Sequence, residues 1–265
     1  MNVFLLIFSL LFAPALLAAD IEENPALAEV FAKAGVQGTF VLYDASAQRL
    51  SGFNVQRAGT RYIPASTFKI AHTLIGLSTG AVSSVDEVFP YDGKPLYLKA
   101  WEHDMGLREA IKVSNLSVYQ ALARRIGLTR MQDTLARLDY GNGEVGDHVD
   151  QFWIAGPLKI SAVEQARFLA RLALGQLPLP AALQASTREI SLLEQGPGWR
   201  LYGKTGWADK PSPDIGWWVG WVEQEGKVYT FALNIDMPAG IADAPLRIPL
   251  GKACLRAYGL LQVDQ

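Results

Sequence analysis

The sequence predicts an α+β fold: one antiparallel sheet built from strands near both ends of the chain, flanked by terminal helices, with a helical subdomain inserted over about 66–190. Three observations carry this. Two short apolar and β-branched runs joined by a turn lie early in the chain, and three aromatic runs suited to strands lie late. Between them the pattern is helical, broken by Gly and Pro. Strands so far apart share a sheet only if the intervening helices fold out as one insertion. That plan leaves a groove where the helices meet the sheet edge.

Residues 1–19 contain no charged side chain and end in small residues before Asp20, which reads as a secretory signal. The rest, 20–265, is expected to be a single catalytic domain, exported to the periplasm. A first helix is expected over 24–35, with Asn24 as its cap before Pro25. Runs at 39–43 and 50–55 flank a turn at 44–48 and predict a hairpin. Helical segments follow near 66–78, 105–112, 116–126, 130–138, 161–173 and 180–185. Strands are expected at 199–207, 215–224 and 227–236, the last two paired through Glu225-Gly226, and a final helix over about 245–261.

Composition narrows the function. The 24 basic and 26 acidic residues nearly cancel, at a net charge of -2, so no polybasic stripe is expected for nucleic acid or anionic lipid. Beyond the first residues no uncharged apolar run is long enough to span a membrane. The single cysteine, Cys254, lies in an amphipathic stretch and reads as a buried small hydrophobe. With 50% apolar residues and seven Trp, a core can form without disulfides. The histidines, His72, His103 and His148, stand apart from one another and from clustered carboxylates, so each is read as structural and no metal is expected. Small-molecule chemistry is the class left standing, by a monomer or a homodimer.

The stretch PASTFKIAHTL, 64–74, sets Ser66 and Lys69 three apart, on one face of a helix that Pro64 introduces. A serine needs a neighbouring base to act as a nucleophile. Lysine is that base only when burial removes its proton, and Phe68 and Ile70 offer a dry setting. A neutral amine in such a pocket can also add carbon dioxide. Lys204-Thr205-Gly206 offers an anion site on a strand edge, with Gly206 lacking a side chain that would hold a substrate away. Ser114-Asn115-Leu116 places a hydroxyl just before a helix. The decoy Gly76-Leu77-Ser78-Thr79-Gly80 fits a nucleophile elbow, but Ser78 falls at the end of a helix rather than after a strand.

S-x-x-K, a serine tripeptide about 45 residues on, and K-T-G about 90 residues later follow the order of the penicilloyl-serine transferases. Ser66-Thr67-Phe68-Lys69, Ser114-x-Leu116, Tyr140-Gly141-Asn142, Trp153 in QFWIAGPLKIS, Lys204-Thr205-Gly206, WWVGW at 217–221 and Arg247 in PLRIP together resemble the class D serine β-lactamases, the oxacillinases. The resemblance spans nearly the whole chain after the leader. It implies the β-lactamase/transpeptidase-like fold and hydrolysis of penicillins and related small-molecule β-lactams through an acyl-enzyme on Ser66.

By the same resemblance Lys69, carboxylated with carbon dioxide or bicarbonate as the only added group, is the general base for acylation and deacylation. Trp153 would hold the carbamate, and Ser114 would relay a proton to the leaving nitrogen. Lys204, Thr205 and Arg247 would receive the substrate carboxylate beside Gly206, with the N–H groups of Ser66 and Trp207 as oxyanion hole. Phe68, Leu116, Trp153 and Ile154 would wall the base. Leu116 stands where the family usually has valine. No glutamate opens the E-x-x-L-N loop by which class A relatives deacylate, so another base is required. A D-alanyl-D-alanine carboxypeptidase or transpeptidase, or a β-lactam-sensing domain, would share the nucleophile but release its adduct slowly.

Overall fold

The computed structural model describes residues 21–261, so the expected leader at 1–19 lies outside the described residues. The chain enters through β1 (Ile21–Glu23) and turns into α1 (Pro25–Ala34), where Asn24 Oδ1 accepts from Ala26 N at 3.1 Å, the predicted cap. β2 (Gly38–Asp44) and β3 (Arg49–Phe53) form the predicted hairpin, and Val55 begins the short α2 (Val55–Ala58) instead of extending the strand. A 3-10 turn, Ala65–Phe68, runs directly into α3 (Lys69–Ser78). The inserted helices are α4 (Leu107–Lys112), α5 (Leu116–Ile126), α6 (Leu128–Leu138), α7 (Ala162–Ala173) and α8 (Ala181–Ile190), all near their predicted positions.

β4 (Leu192–Gly196), β5 (Trp199–Ala208), β6 (Asp214–Gln224) and β7 (Lys227–Met237) follow as antiparallel neighbours. A 3-10 stretch, Gly240–Leu246, leads into α9 (Arg247–Ala257), so the last helix begins later and ends earlier than its sequence pattern suggests. Among the described residues the seven strands form one sheet in the order β1-β3-β2-β7-β6-β5-β4. One correction applies to the antiparallel expectation: β1 pairs with β3 in parallel. A tight turn forces its two strands antiparallel, but β1 is joined to β2 by a helix, which leaves its direction free.

Alternation along β6 sets the two layers. Trp217, Val219 and Trp221 point into the core shared with the inserted helices, and Trp218 and Val222 into the core beneath α1 and α9. Gly251 of α9 lets that helix down onto Trp218, since a Cβ there would lie 2.1 Å from the indole. Cys254 is buried in this second core, where burial pushes its thiol up to about 12 and keeps it inert. α7 lies on the opposite face, across β2, β6 and β7.

Candidate active site

β5 runs past the Ala65–Phe68 turn and packs against it. β4 pairs with β5 only as far as Tyr202, and Gly203 N closes the pairing by donating to Ser191 O. From Lys204 onward that edge of β5 faces the turn instead of a strand. Strand N–H groups alternate sides, so those of Thr205 and Trp207 point to the same edge as that of Gly203. Gly206 makes the approach possible: a Cβ there would meet Pro64 O at 2.9 Å and Thr67 Cγ2 at 3.0 Å.

The turn itself is held from three sides. Ala65 N donates to Trp153 O at 2.9 Å, Trp217 Nε1 donates to Ile63 O at 3.0 Å, and Gln165 Nε2 donates to Thr67 Oγ1 at 2.8 Å. Ala65 sits at φ +48°, a left-handed conformation that costs a residue bearing a Cβ and persists only because these bonds over-determine it. Ser66 thus sits on a strained 3-10 turn, and the α-helix begins only at Lys69.

Lys69 is fully buried, and its Nζ bonds Ser66 Oγ at 2.8 Å. Burial, and then the charge of Lys204, hold its amine well below the ordinary lysine value. Phe68 and Trp153 are buried in one hydrophobic cluster, and Leu116 and Ile154 are half-buried against it. The ring of Tyr119 lies 5.2 Å from Nζ, and the Tyr119 hydroxyl is engaged with Thr73 Oγ1 at 2.8 Å. Trp153 Nε1 is buried without a hydrogen-bond partner.

At the other end Lys204 is 6% exposed, and burial followed by the Arg247 charge lowers its amine to about 7. Burial likewise lowers Arg247 to about 10. Arg247 reaches this end over Gly216, where a Cβ would lie 3.0 Å from Arg247 Cδ, and Nη1 donates to Gly206 O at 2.5 Å. Among the described residues none of Lys69, Lys204 and Arg247 forms an ion pair with a carboxylate. Buried charge without a counter-ion is costly, so the stretch of β5 that carries Lys204 and meets Arg247 favours an anion.

Ser114 is half-buried between α4 and α5 at φ +57°, a second strained non-glycine residue. Asn115 beside it is 1% exposed and caps α5 by accepting from Val118 N at 3.1 Å. α5, which this turn opens, packs on α3. Trp207 is held at the mouth by Nε1 donating to Asp214 Oδ2 at 2.7 Å.

The histidines divide. His103 pairs with Glu109 at the surface and His148 is exposed, as their sequence context suggests. His72, read from sequence only as structural, is fully buried beside the site, in ring contact with Phe68, Tyr119 and Trp153. The available signal was its spacing, since Ser66, Lys69 and His72 fall three apart. No group of three potential metal ligands occurs among the described residues. Ser78 ends α3 and Gly80 follows at φ +68°, so the glycine-flanked serine forms no elbow.

A family model of the penicillin binding protein transpeptidase domain matches residues 38–255. β-Lactamase OXA-5 of Pseudomonas aeruginosa is 44% identical over 229 residues, covering 85% of this chain and 86% of the relative. β-Lactamase OXA-48 of Klebsiella pneumoniae is 38% identical over 233 residues, covering 88% of each. The crystal structure of FUS-1 (OXA-85), a class D β-lactamase from Fusobacterium nucleatum subsp. polymorphum, matches with a TM-score of 0.88 at 42% identity, over 91% of this chain and 100% of that one. A chain with a half-buried serine bonded to a fully buried lysine, and so close to these relatives along nearly its whole length, belongs to the class D β-lactamases.

Proposed function

We propose that this chain hydrolyses the cyclic amide of β-lactams through an ester on Ser66, with the base at Lys69 serving both half-reactions. The observation that carries the reading is the fully buried Lys69 Nζ at 2.8 Å from Ser66 Oγ. Burial, and then the Lys204 charge, hold that amine well below the ordinary lysine value, which favours the uncharged form that accepts a proton or an electrophile.

The substrate carboxylate would sit against Lys204, Thr205 and Arg247, which recovers the electrostatic cost of burying two cations. Its ring carbonyl would then face Ser66, with the N–H groups of Ser66 and Trp207 directed at the developing oxyanion. Ser66 Oγ attacks the carbonyl carbon and its proton leaves toward the Lys69 side chain. The C–N bond breaks, and the ring nitrogen takes a proton through Ser114. A water then attacks the ester, its proton leaving by the same route, and releases a carboxylate while Ser66 regains its hydrogen.

The residues present fit a carboxylated Lys69: Trp153 Nε1 is a buried donor without an acceptor, and Lys69 itself is fully buried. Addition of carbon dioxide to the neutral amine releases one proton and supplies there an anionic acceptor suited to general-base work. The uncharged apolar run near the start of the sequence supports export, with the periplasm as the proposed place of action. No helix among the described residues is long and apolar enough to cross a membrane.

Incubation with a chromogenic cephalosporin, with and without bicarbonate, tests the reading. Sustained turnover that bicarbonate increases, and that Ser66→Ala and Lys69→Met both abolish, is the expected result. A single stoichiometric burst would instead indicate a transpeptidase or a sensor.

A further inference from the structure

We propose that His72 is a positioning residue for the base, donating a ring N–H to the carboxylate group that Lys69 would carry, beside the N–H of Trp153. The proposal rests on the carboxylated-lysine reading above and adds a residue to it.

Few buried side-chain nitrogens or oxygens of the described residues lack a partner, yet three of them belong to two rings in contact: His72 Nδ1, His72 Nε2 and Trp153 Nε1. The two rings meet edge to face, with centroids 4.9 Å apart and planes at 69°. His72 is 0% exposed, and its ring also meets the rings of Phe68 at 5.2 Å and Tyr119 at 5.3 Å. Tyr119 offers only its face, because its hydroxyl is already bonded to Thr73. A leucine would occupy the same apolar box without stranding two polar atoms, so simple space-filling does not account for an imidazole here.

The kind of group that would satisfy this cluster follows from its chemistry. Indole Nε1 is a donor only, and a neutral imidazole brings one N–H donor and one acceptor. The two rings therefore bring two buried donors and one imidazole acceptor, all without partners, one turn of α3 from Lys69. A carboxylate on the lysine nitrogen brings two oxygens, enough for both donors. Burial, followed by the Lys69 charge, keeps the imidazole well below its ordinary value, so it stays neutral while the amine is free and retains its single N–H. An anionic carboxylate group on Lys69 would accept a charge-assisted hydrogen bond from that N–H.

The test uses the whole protein labelled with 15N-histidine, titrated with 13C-bicarbonate and followed by NMR, with the His72 ring signals assigned by their loss in His72→Asn. The expected result is a 13C carbamate signal accompanied by a shift of one His72 ring nitrogen, saturating together. In folded His72→Leu the bicarbonate concentration for half-maximal carbamate should rise about tenfold or more, while His72→Asn, which keeps a donor, should stay within about threefold of wild type. A carbamate that forms while the His72 nitrogens do not move overturns the proposal and leaves Lys69 as base. An unchanged midpoint in folded His72→Leu does the same. No carbamate signal in wild type overturns both readings together. If His72→Leu does not fold, the wild-type 15N shift decides alone.

Discussion

A lysine normally carries its charge to water, but Lys69 is fully buried: the ring of Tyr119 lies 5.2 Å from its amine, and its bond to Ser66 Oγ is 2.8 Å long. Which of these side chains matters for chemistry and which for packing is separable. Trp153→Phe keeps a large ring in the wall but deletes the unpartnered Nε1 donor. A hydrogen bond to a charged acceptor contributes about 1.5–3 kcal/mol, so this variant should need at least about tenfold more bicarbonate for half-maximal turnover. Its melting temperature should fall only modestly, because no satisfied bond is lost. Unchanged bicarbonate dependence would remove Trp153 from the proposed machinery. The pairing of Ser66 with Lys69 was visible as a spacing of three. The orphaned nitrogens were not, since whether a polar atom finds a partner is decided by chain segments far apart in sequence.

At the scale of elements the site is a contact between one strand edge and one turn, and Gly206 sets how closely they approach. A methyl group at 206 would press on Pro64 O at 2.9 Å and Thr67 Cγ2 at 3.0 Å. Pro64 cannot retreat easily, because Ile63 O and Ala65 N on either side of it are bonded to Trp217 and Trp153. Gly206→Ala should therefore widen the gap between the Trp207 N–H and Ser66, lower the acylation rate about tenfold or more and cost about 1–3 kcal/mol of stability. Pre-steady-state acylation and denaturant unfolding measure the two effects; loss of stability without loss of rate would show that the gap is not an oxyanion hole. Lys204-Thr205-Gly206 was legible as a strand edge because its aromatic and β-branched neighbours alternate. β4 was not, because Leu192–Gly196 carries polar, exposed side chains at its centre and pairs only by virtue of the Gly196-Pro197-Gly198 turn. β1, three residues long, has too little pattern of its own to read.

Over the whole molecule the overall plan followed from where apolar periodicity changes from two to 3.6, a signal summed over many residues. The electrostatic state of the groove depends instead on distances that no local pattern encodes. Lys204, with an unfolded value near 10.5, is lowered to about 7 by burial and by Arg247, and Lys69 is shifted in the same direction. Below pH 7 Lys204 is protonated in both states, and the cost of burying its charge is fully present. Between pH 7 and 10.5 the unfolded chain keeps a proton that the folded protein has released, so stability rises with pH across this window, by up to about 1.4 kcal/mol per unit for one such group. In bicarbonate-free buffer the melting temperature should increase by a few degrees from pH 7 to 9. Lys204→Met should be more stable than wild type at pH 7 and should flatten the rise. Substrate binding should follow the opposite course: the carboxylate needs a charged Lys204, so KM should increase as the pH passes through about 7. A melting temperature that falls from pH 7 to 9, with Lys204→Met tracking wild type, would mean that this amine is solvated and that the groove is not the desolvated anion trap its geometry describes.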